Sequence, residues 1–332
     1  MTPNDAPAPL PLPSTLVVAA YALGAALLAS AAPLLAYAGS LALFGAPHVL
    51  AELRYVDGRF GRRLRAGAGA LMLAILALVV GLRALTILHR IHPADGYVAE
   101  LGLVATLAFV VVPDLAATPA RAAFAIALGG ALAAGSALAP WTTVVTLAIL
   151  HNATPVGFLT ERLAGRPERR RVLATCAVLF LAIPALIAGG LPARALEALG
   201  AWRPDATFGT VGALVSHLRV FVPEAVTNAS FAPHVFAACA FLQLLHYGIV
   251  IGVLPRLLAT RGTEGDDPVM PWPAARVLGL GIAGVGLVAA VGFVRDFAGT
   301  RAAYGLLASV HAWIELPVLL LALAGRPREA LA

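Results

Sequence analysis

Apolar blocks of about the length that crosses a lipid bilayer follow one another from Ser14 to Ala324. A spanning helix needs about 20 mostly apolar residues, and ten such blocks can be laid out, at 15–36, 39–55, 66–88, 97–113, 120–138, 141–161, 171–190, 231–256, 273–294 and 301–325. They are runs of Ala, Leu and Val without the alternation of a barrel strand. The expected fold is therefore all-α, a polytopic integral membrane bundle of about ten transmembrane helices. Composition agrees, with 60% of residues hydrophobic and 12% charged, against roughly a quarter charged in a soluble domain. The chain outside the blocks comes in pieces too short for a soluble catalytic domain, a nucleic-acid reader or a disulfide scaffold. Cys176 and Cys239 each fall inside an apolar block and read as small core residues.

The formal net charge is +6 and every basic side chain is Arg, because the sequence contains no Lys. The arginines collect in short loops, so the charge reads as a topology signal and not as nucleic-acid binding. Arg59, Arg62, Arg63 and Arg65 follow the second block, Arg162 to Arg171 the sixth, Arg256 and Arg261 the eighth, Arg326 and Arg328 the tenth. The positive-inside rule then makes both termini cytoplasmic, with even-numbered spans running from outside inward. Residues 1–14 are a Pro-rich tail without a basic residue, so the first block is expected to be retained although Ala29–Ala31 mimics a cleavage site. Residues 192–230 are too polar to span and are expected to form an extramembrane loop with an interfacial helix. No linker or repeat divides the chain, which reads as one transmembrane domain over 1–332.

Ionisable groups inside hydrocarbon are costly and hence informative. His89, His92 and His217 fall in loops and are expected to be solvated. His48, His151, His246 and His311 lie within apolar blocks, all of them even-numbered. His48 and His151 stand eleven residues before Arg59 and Arg162, His246 ten before Arg256, and His311 fifteen before Arg326. At about 1.5 Å of rise per residue, all four imidazoles sit roughly 15 to 22 Å from the basic rim, near mid-membrane. Rings at a common depth on parallel helices invite a shared site. His234 lies twelve residues before His246, about 18 Å along a helix, and cannot share an ion with it unless the helix breaks.

Two of the four carry a carboxylate one helical turn on, in His48-Val-Leu-Ala-Glu52 and His311-Ala-Trp-Ile-Glu315. The i, i+4 spacing puts each pair on one helix face. Imidazole with carboxylate is the ligand chemistry of iron, manganese or zinc, and the carboxylates can equally hold imidazole N–H groups in place. Glu52 has a competing partner in nearby Arg54; Glu315 has no basic residue within a turn. Gln243, on the face of His246, Tyr247 beside it, and Asn152, Thr154 and Glu161 near His151 are further polar candidates. For Gln243 a plain interhelical hydrogen bond weighs as much as a substrate contact. Gly45 and Pro47 suggest a break in the second span.

The stretch Phe44-Gly45-Ala46-Pro47-His48-Val49-Leu50-Ala51-Glu52 resembles the Gly-x-Pro-His signature of the Brp/Blh family of bacterial membrane carotenoid dioxygenases. Val49 stands where that family usually has Gly, and Glu52 where it has Asp. The resemblance covers about ten residues together with the many-span layout. It implies a non-haem iron held by histidines on several helices, O₂ as co-substrate, and a bacterial inner-membrane location. By this resemblance His48 is a metal ligand, with His151, His246 and His311 the candidate others. The expected function is a metal-dependent membrane oxidoreductase of oxygenase type, with Fe(II) or another divalent transition metal, acting on an apolar, membrane-dissolved, carotenoid-like polyene. Glu52 and Glu315 would be bound to the metal or beside it, and Gln243 and Tyr247 would line the reaction site. Three alternatives stay open: a b-type haem electron carrier using paired histidines, a proton- or metal-coupled transporter with broken helices at Pro47, Pro155 and Pro317, and a structural subunit with buried hydrogen bonds.

Overall fold

A computed structural model describes residues 12–116, 118–258 and 268–324. Residues 1–11 of the Pro-rich tail, and Arg261, Arg326 and Arg328 of the charge pattern, lie outside the described residues. Among the described residues there is no strand, and the helices in chain order are α1 (Thr15–Ala31), α2 (Pro33–Phe60), α3 (Ala66–Ile87), α4 (Pro93–Val110), α5 (Pro119–Leu138), α6 (Pro140–His151), α7 (Thr154–Arg162), α8 (Arg169–Ala177), α9 (Ile183–Ala188), α10 (Leu191–Ala198), α11 (Ala232–Gly252), α12 (Leu254–Leu258), α13 (Ala275–Arg295) and α14 (Phe297–Ala324). Eight helical stretches among the described residues are long and apolar enough to cross a bilayer, and α6 with α7, bent by 41°, makes a ninth if counted as one broken span. The chain is a multi-pass membrane protein built as an all-α bundle.

Prolines set most of the corners. Pro33, Pro93, Pro119 and Pro140 each sit in the first turn of a helix, where the missing N–H has no intrahelical acceptor to lose and the fixed φ suits the helix. The corner at Ala32–Pro33 recuts the first two expected spans: α1 is only 17 residues, about 25 Å, whereas α2 runs for 28. The break expected at Pro47 does not occur. Pro47 lies inside an unbroken α2 and Pro317 inside an unbroken α14; of the three prolines weighed as helix breakers, only Pro155 sits at a break, in the first turn of α7.

Burial separates inner helices from outer ones. Much of α2 and α11 is buried, and Tyr37, Tyr55, Phe236 and Phe241 from these two helices are among the most enclosed side chains. By contrast α13 leaves Leu280 76% and Val288 74% exposed, an apolar face that suits lipid. A second apolar cluster joins α3, α4 and α5 to Trp313, Leu320 and Leu321 of α14, so α14 is the seam between the two halves.

The segment after α10 is less open than its polarity suggests. It contributes Val211, Leu214, Leu218, Phe221 and Val222 to the main core, because its apolar residues fold back onto the end of the bundle. His217 is carried in with them and is buried, against the expectation of a solvated side chain. A ring nitrogen lies 2.7 Å from the Val211 carbonyl, and the ring packs against Tyr37 and Phe297. His89 and His92 are exposed, as expected. Cys176 and Cys239 are free and buried.

Candidate metal centre

Four helices deliver the four intramembrane histidines. His48 is in the middle of α2, His246 in α11 and His311 in α14. His151 is the last residue of α6, where the backbone turns at Asn152 and Ala153 before α7 resumes. One ring nitrogen from each of the four lies within 4.8 Å of the others. Two nitrogens bound to one ion at about 2.1 Å each can be no more than about 4.2 Å apart, so a small inward movement would bring all four to a common ion. His48, His246 and His311 are buried and His151 is half-buried.

The carboxylates close the same cluster from one side. Oxygens of Glu52 and Glu315 and a nitrogen of His246 also lie within 4.8 Å of one another. The i, i+4 pairs of the sequence cross over between helices: Glu315 Oε2 is 2.6 Å from His151 Nδ1, and Glu52 Oε2 approaches His246 Nε2 at 3.5 Å. The Arg54 partner considered for Glu52 is not used; Glu52 is fully buried and turned to the histidines. The Thr154 hydroxyl lies 2.9 Å from Glu315 Oε1 and 2.7 Å from the His151 carbonyl, and its single proton serves one of them at a time.

Two hydrogen bonds orient rings toward the middle. His48 Nδ1 is 3.1 Å from the Phe44 carbonyl; an N–H there must donate, which leaves Nε2 as an acceptor. That Nε2 accepts from His311 Nε2–H at 3.0 Å, a proton that a bound cation would displace. The short contact from His151 Nδ1 to Glu315 likewise frees the other nitrogen of His151. The remaining groups are the test of whether a cation fits. Both oxygens of Glu52 and both ring nitrogens of His246 are buried without a hydrogen-bond partner. A buried carboxylate left in that state costs several kcal/mol. A divalent ion among neutral imidazoles and two carboxylates satisfies these atoms and balances the charge, so the residues present fit such an ion.

The polar candidates fall into two groups. Tyr247 stacks on His48 with ring centroids 4.1 Å apart and lines a cavity beside the cluster. Gln243 lines the cavity too, but its amide donates to Ser40 Oγ at 2.8 Å and the Tyr37 carbonyl at 3.2 Å, an interhelical tie between α11 and α2. Asn152 bonds back to the Ala148 carbonyl. Glu161 is elsewhere, paired with Arg59 at 2.6 Å and Arg63 at 3.2 Å. His234 stays apart beside Trp202, as an unbroken α11 requires.

The cavity, about 270 Å³, is lined by His48, His151 and His311 at one end and by Arg83 and Arg301 as well. Sequence reasoning passed over both arginines and Glu100, although the cost of ionisable groups in apolar segments is a signal that could have found them. Glu100 pairs with Arg83 and accepts the Trp313 indole N–H at 2.7 Å. Comparison with known proteins finds no matching family model, no similar curated protein and no similar solved structure.

Proposed function

We propose that this protein is a metal-dependent oxidoreductase of the membrane interior, in which His48, His151, His246 and His311 hold a divalent transition metal and the substrate is an apolar polyene dissolved in the bilayer. The observation that carries the reading is the convergence of four ring nitrogens within 4.8 Å beside two buried carboxylates. The Gly-x-Pro-His stretch at His48, through its resemblance to the Brp/Blh carotenoid dioxygenases, favours Fe(II) as the metal and O₂ as co-substrate. The same resemblance favours the inner membrane of a bacterium, and the arginine distribution favours cytoplasmic termini.

When bound, ferrous iron supplies the redox chemistry that joins O₂ to an electron-rich double bond. The protein's own groups do the rest. Phe44 and Glu315 fix the rings of His48 and His151, and Thr154 steadies Glu315. Glu52 and Glu315 supply the negative charge that keeps a cation in an apolar place. Tyr247 and the apolar cavity wall keep water from the reacting face and present a flat surface to a conjugated chain.

The haem alternative is disfavoured by space: neighbouring imidazole centroids stand 4.6 to 5.3 Å apart, with no room for a macrocycle between them. The transport alternative loses two of its gating breaks, because Pro47 and Pro317 sit in unbroken helices. Elemental analysis of detergent-purified protein tests the proposal. Near-stoichiometric iron in the wild type, lost in both His151→Ala and His311→Ala, is the expected result. Wild-type protein purified and reconstituted under anaerobic ferrous conditions that still binds no transition metal would overturn it.

A further inference from the structure

The cavity has a polar far end that a pure hydrocarbon does not need. On α14 it follows one face from Arg301 to His311, and on α2 it follows Tyr37, Leu41 and His48. Ten residues of α14 span about 15 Å. The two helices run side by side in the same sense, so the Arg301–Tyr37 level and the His48–His311 level are opposite ends of one slot. Leu41, Val144, Leu147 and Ala308 give it apolar walls, the paired Arg83 meets it at Gly305, and Phe221 of the folded-back segment packs on Tyr37 at the arginine end.

The two arginines differ in how they are satisfied. Arg83 is neutralised by Glu100 and also donates to the Gly305 carbonyl at 3.0 Å. Arg301 is half-buried; among the described residues its guanidinium makes no hydrogen bond or ion pair and lies 5.9 Å over the Tyr37 ring. The carboxylate nearest in sequence, Asp296, caps the start of α14 by accepting the Gly299 N–H. A guanidinium with five free donors, held against an aromatic face at the end of an apolar slot, is built to receive a planar anion. At about 270 Å³ the slot is at the small end of ligand pockets, roughly 300–1,000 Å³, which suits one narrow chain.

We infer that Arg301 receives the carboxylate of a single-chain unsaturated amphiphile whose apolar chain runs along α14 toward the four histidines. This substrate class rests on the oxidoreductase reading, and it makes Arg301 the residue that sets which end of the chain enters and how far a double bond lies from the head. Arg83, bonded to the Gly305 carbonyl, and Glu100, bonded to the Trp313 indole, flank the slot between those two levels without offering a net charge.

The test uses the full-length protein in detergent with cis-parinaric acid, a fluorescent polyene carboxylate, and its methyl ester. Binding is read by quenching of tryptophan emission, for which Trp313 in the cavity wall is well placed. The acid should bind at least tenfold more tightly than the ester, Arg301→Gln should erase that difference, and Arg301→Lys should restore part of it. Equal binding of acid and ester by the wild type, no binding of either, or an Arg301→Gln protein that still prefers the acid would each overturn the inference. Metal content is measured on the same samples. Arg301-dependent acid binding by protein without metal would support the amphiphile site while the oxidoreductase reading fails; stoichiometric metal with no preference for the acid would do the reverse.

Discussion

Glu315 Oε2 lies 2.6 Å from His151 Nδ1 and so ties the broken end of α6 to the middle of α14. The contact matters because His151 is the one candidate ligand at a helix end, where the backbone alone restrains it least. A carboxylate on the remote nitrogen of a metal-bound imidazole sets its tautomer and aim, and losing such a support costs about 10–100-fold in metal affinity. Glu315→Gln is expected to fold and to bind metal in that range more weakly in chelator competition. Thr154→Val, which replaces the steadying hydroxyl by a methyl of similar volume, should cost less than Glu315→Gln.

Glu52 supplies the opposite kind of prediction. Its oxygens make no hydrogen bond and lie within 4.8 Å of a Glu315 oxygen, so in metal-free protein two carboxylates crowd one apolar place. Stripping metal from the wild type should lower its melting temperature, because an ion that binds only the folded state stabilises by mass action. In metal-free protein, Glu52→Gln should melt higher than the wild type and be more stable by on the order of 1 kcal/mol, since removing one of two neighbouring buried carboxylates relieves both repulsion and desolvation. With metal added the order should reverse. Melting curves of both proteins with and without chelator decide it; a wild type indifferent to chelator argues against an ion at Glu52.

How much of this was legible beforehand follows from which facts are local. The depth of the four histidines could be read by counting residues to each arginine rim, because helix rise is constant; their meeting in one cluster is the same fact seen in three dimensions. Which carboxylate serves which ring was not legible. The i, i+4 spacing correctly put Glu52 with His48 and Glu315 with His311 on common faces, yet Glu52 approaches His246 and Glu315 bonds His151, since partners across a helix seam depend on crossing geometry. The turn just after His151 falls inside what reads as one apolar block; Pro155 marks it, but Pro47 and Pro317 carry the same mark in helices that do not break. His217 departs from expectation for a related reason: the polarity of its loop is local, but the folding back of Val211, Leu218 and Phe221 is a tertiary event. Arg301 opens the tenth apolar block, and only the cavity gives it a place.

A buried ion pair away from the centre separates stability from metal binding. Glu161 is 5% exposed and grips Arg59, also 5% exposed, through two hydrogen bonds of 2.6 and 3.2 Å. Removing one partner of such a pair typically costs about 3–5 kcal/mol by leaving the other charge uncompensated. Glu161→Ala should therefore lower the melting temperature steeply while the protein that remains folded keeps its full metal content. Loss of metal in proportion to loss of the Glu161 side chain, with stability intact, would instead place Glu161 in the site.

A packing constraint on His48 comes from outside the cluster. A methyl group at Gly286 of α13 would stand 2.8 Å from Cγ of Pro47, and the proline ring cannot swing aside because its torsions are locked. Gly286→Ala must then push α13 and α2 apart, at a cost of about 1–3 kcal/mol typical of overpacking. Pro47 immediately precedes His48, so the displacement is transmitted to a candidate ligand within one residue. The expected outcome is a protein that is both less stable and weaker in metal affinity. Gly284→Ala two positions away, where an added methyl meets nothing within 4 Å, should change neither. Melting temperature and chelator competition on the two variants side by side make the comparison; equal behaviour of both would mean that the α13–α2 contact does not hold His48 in place.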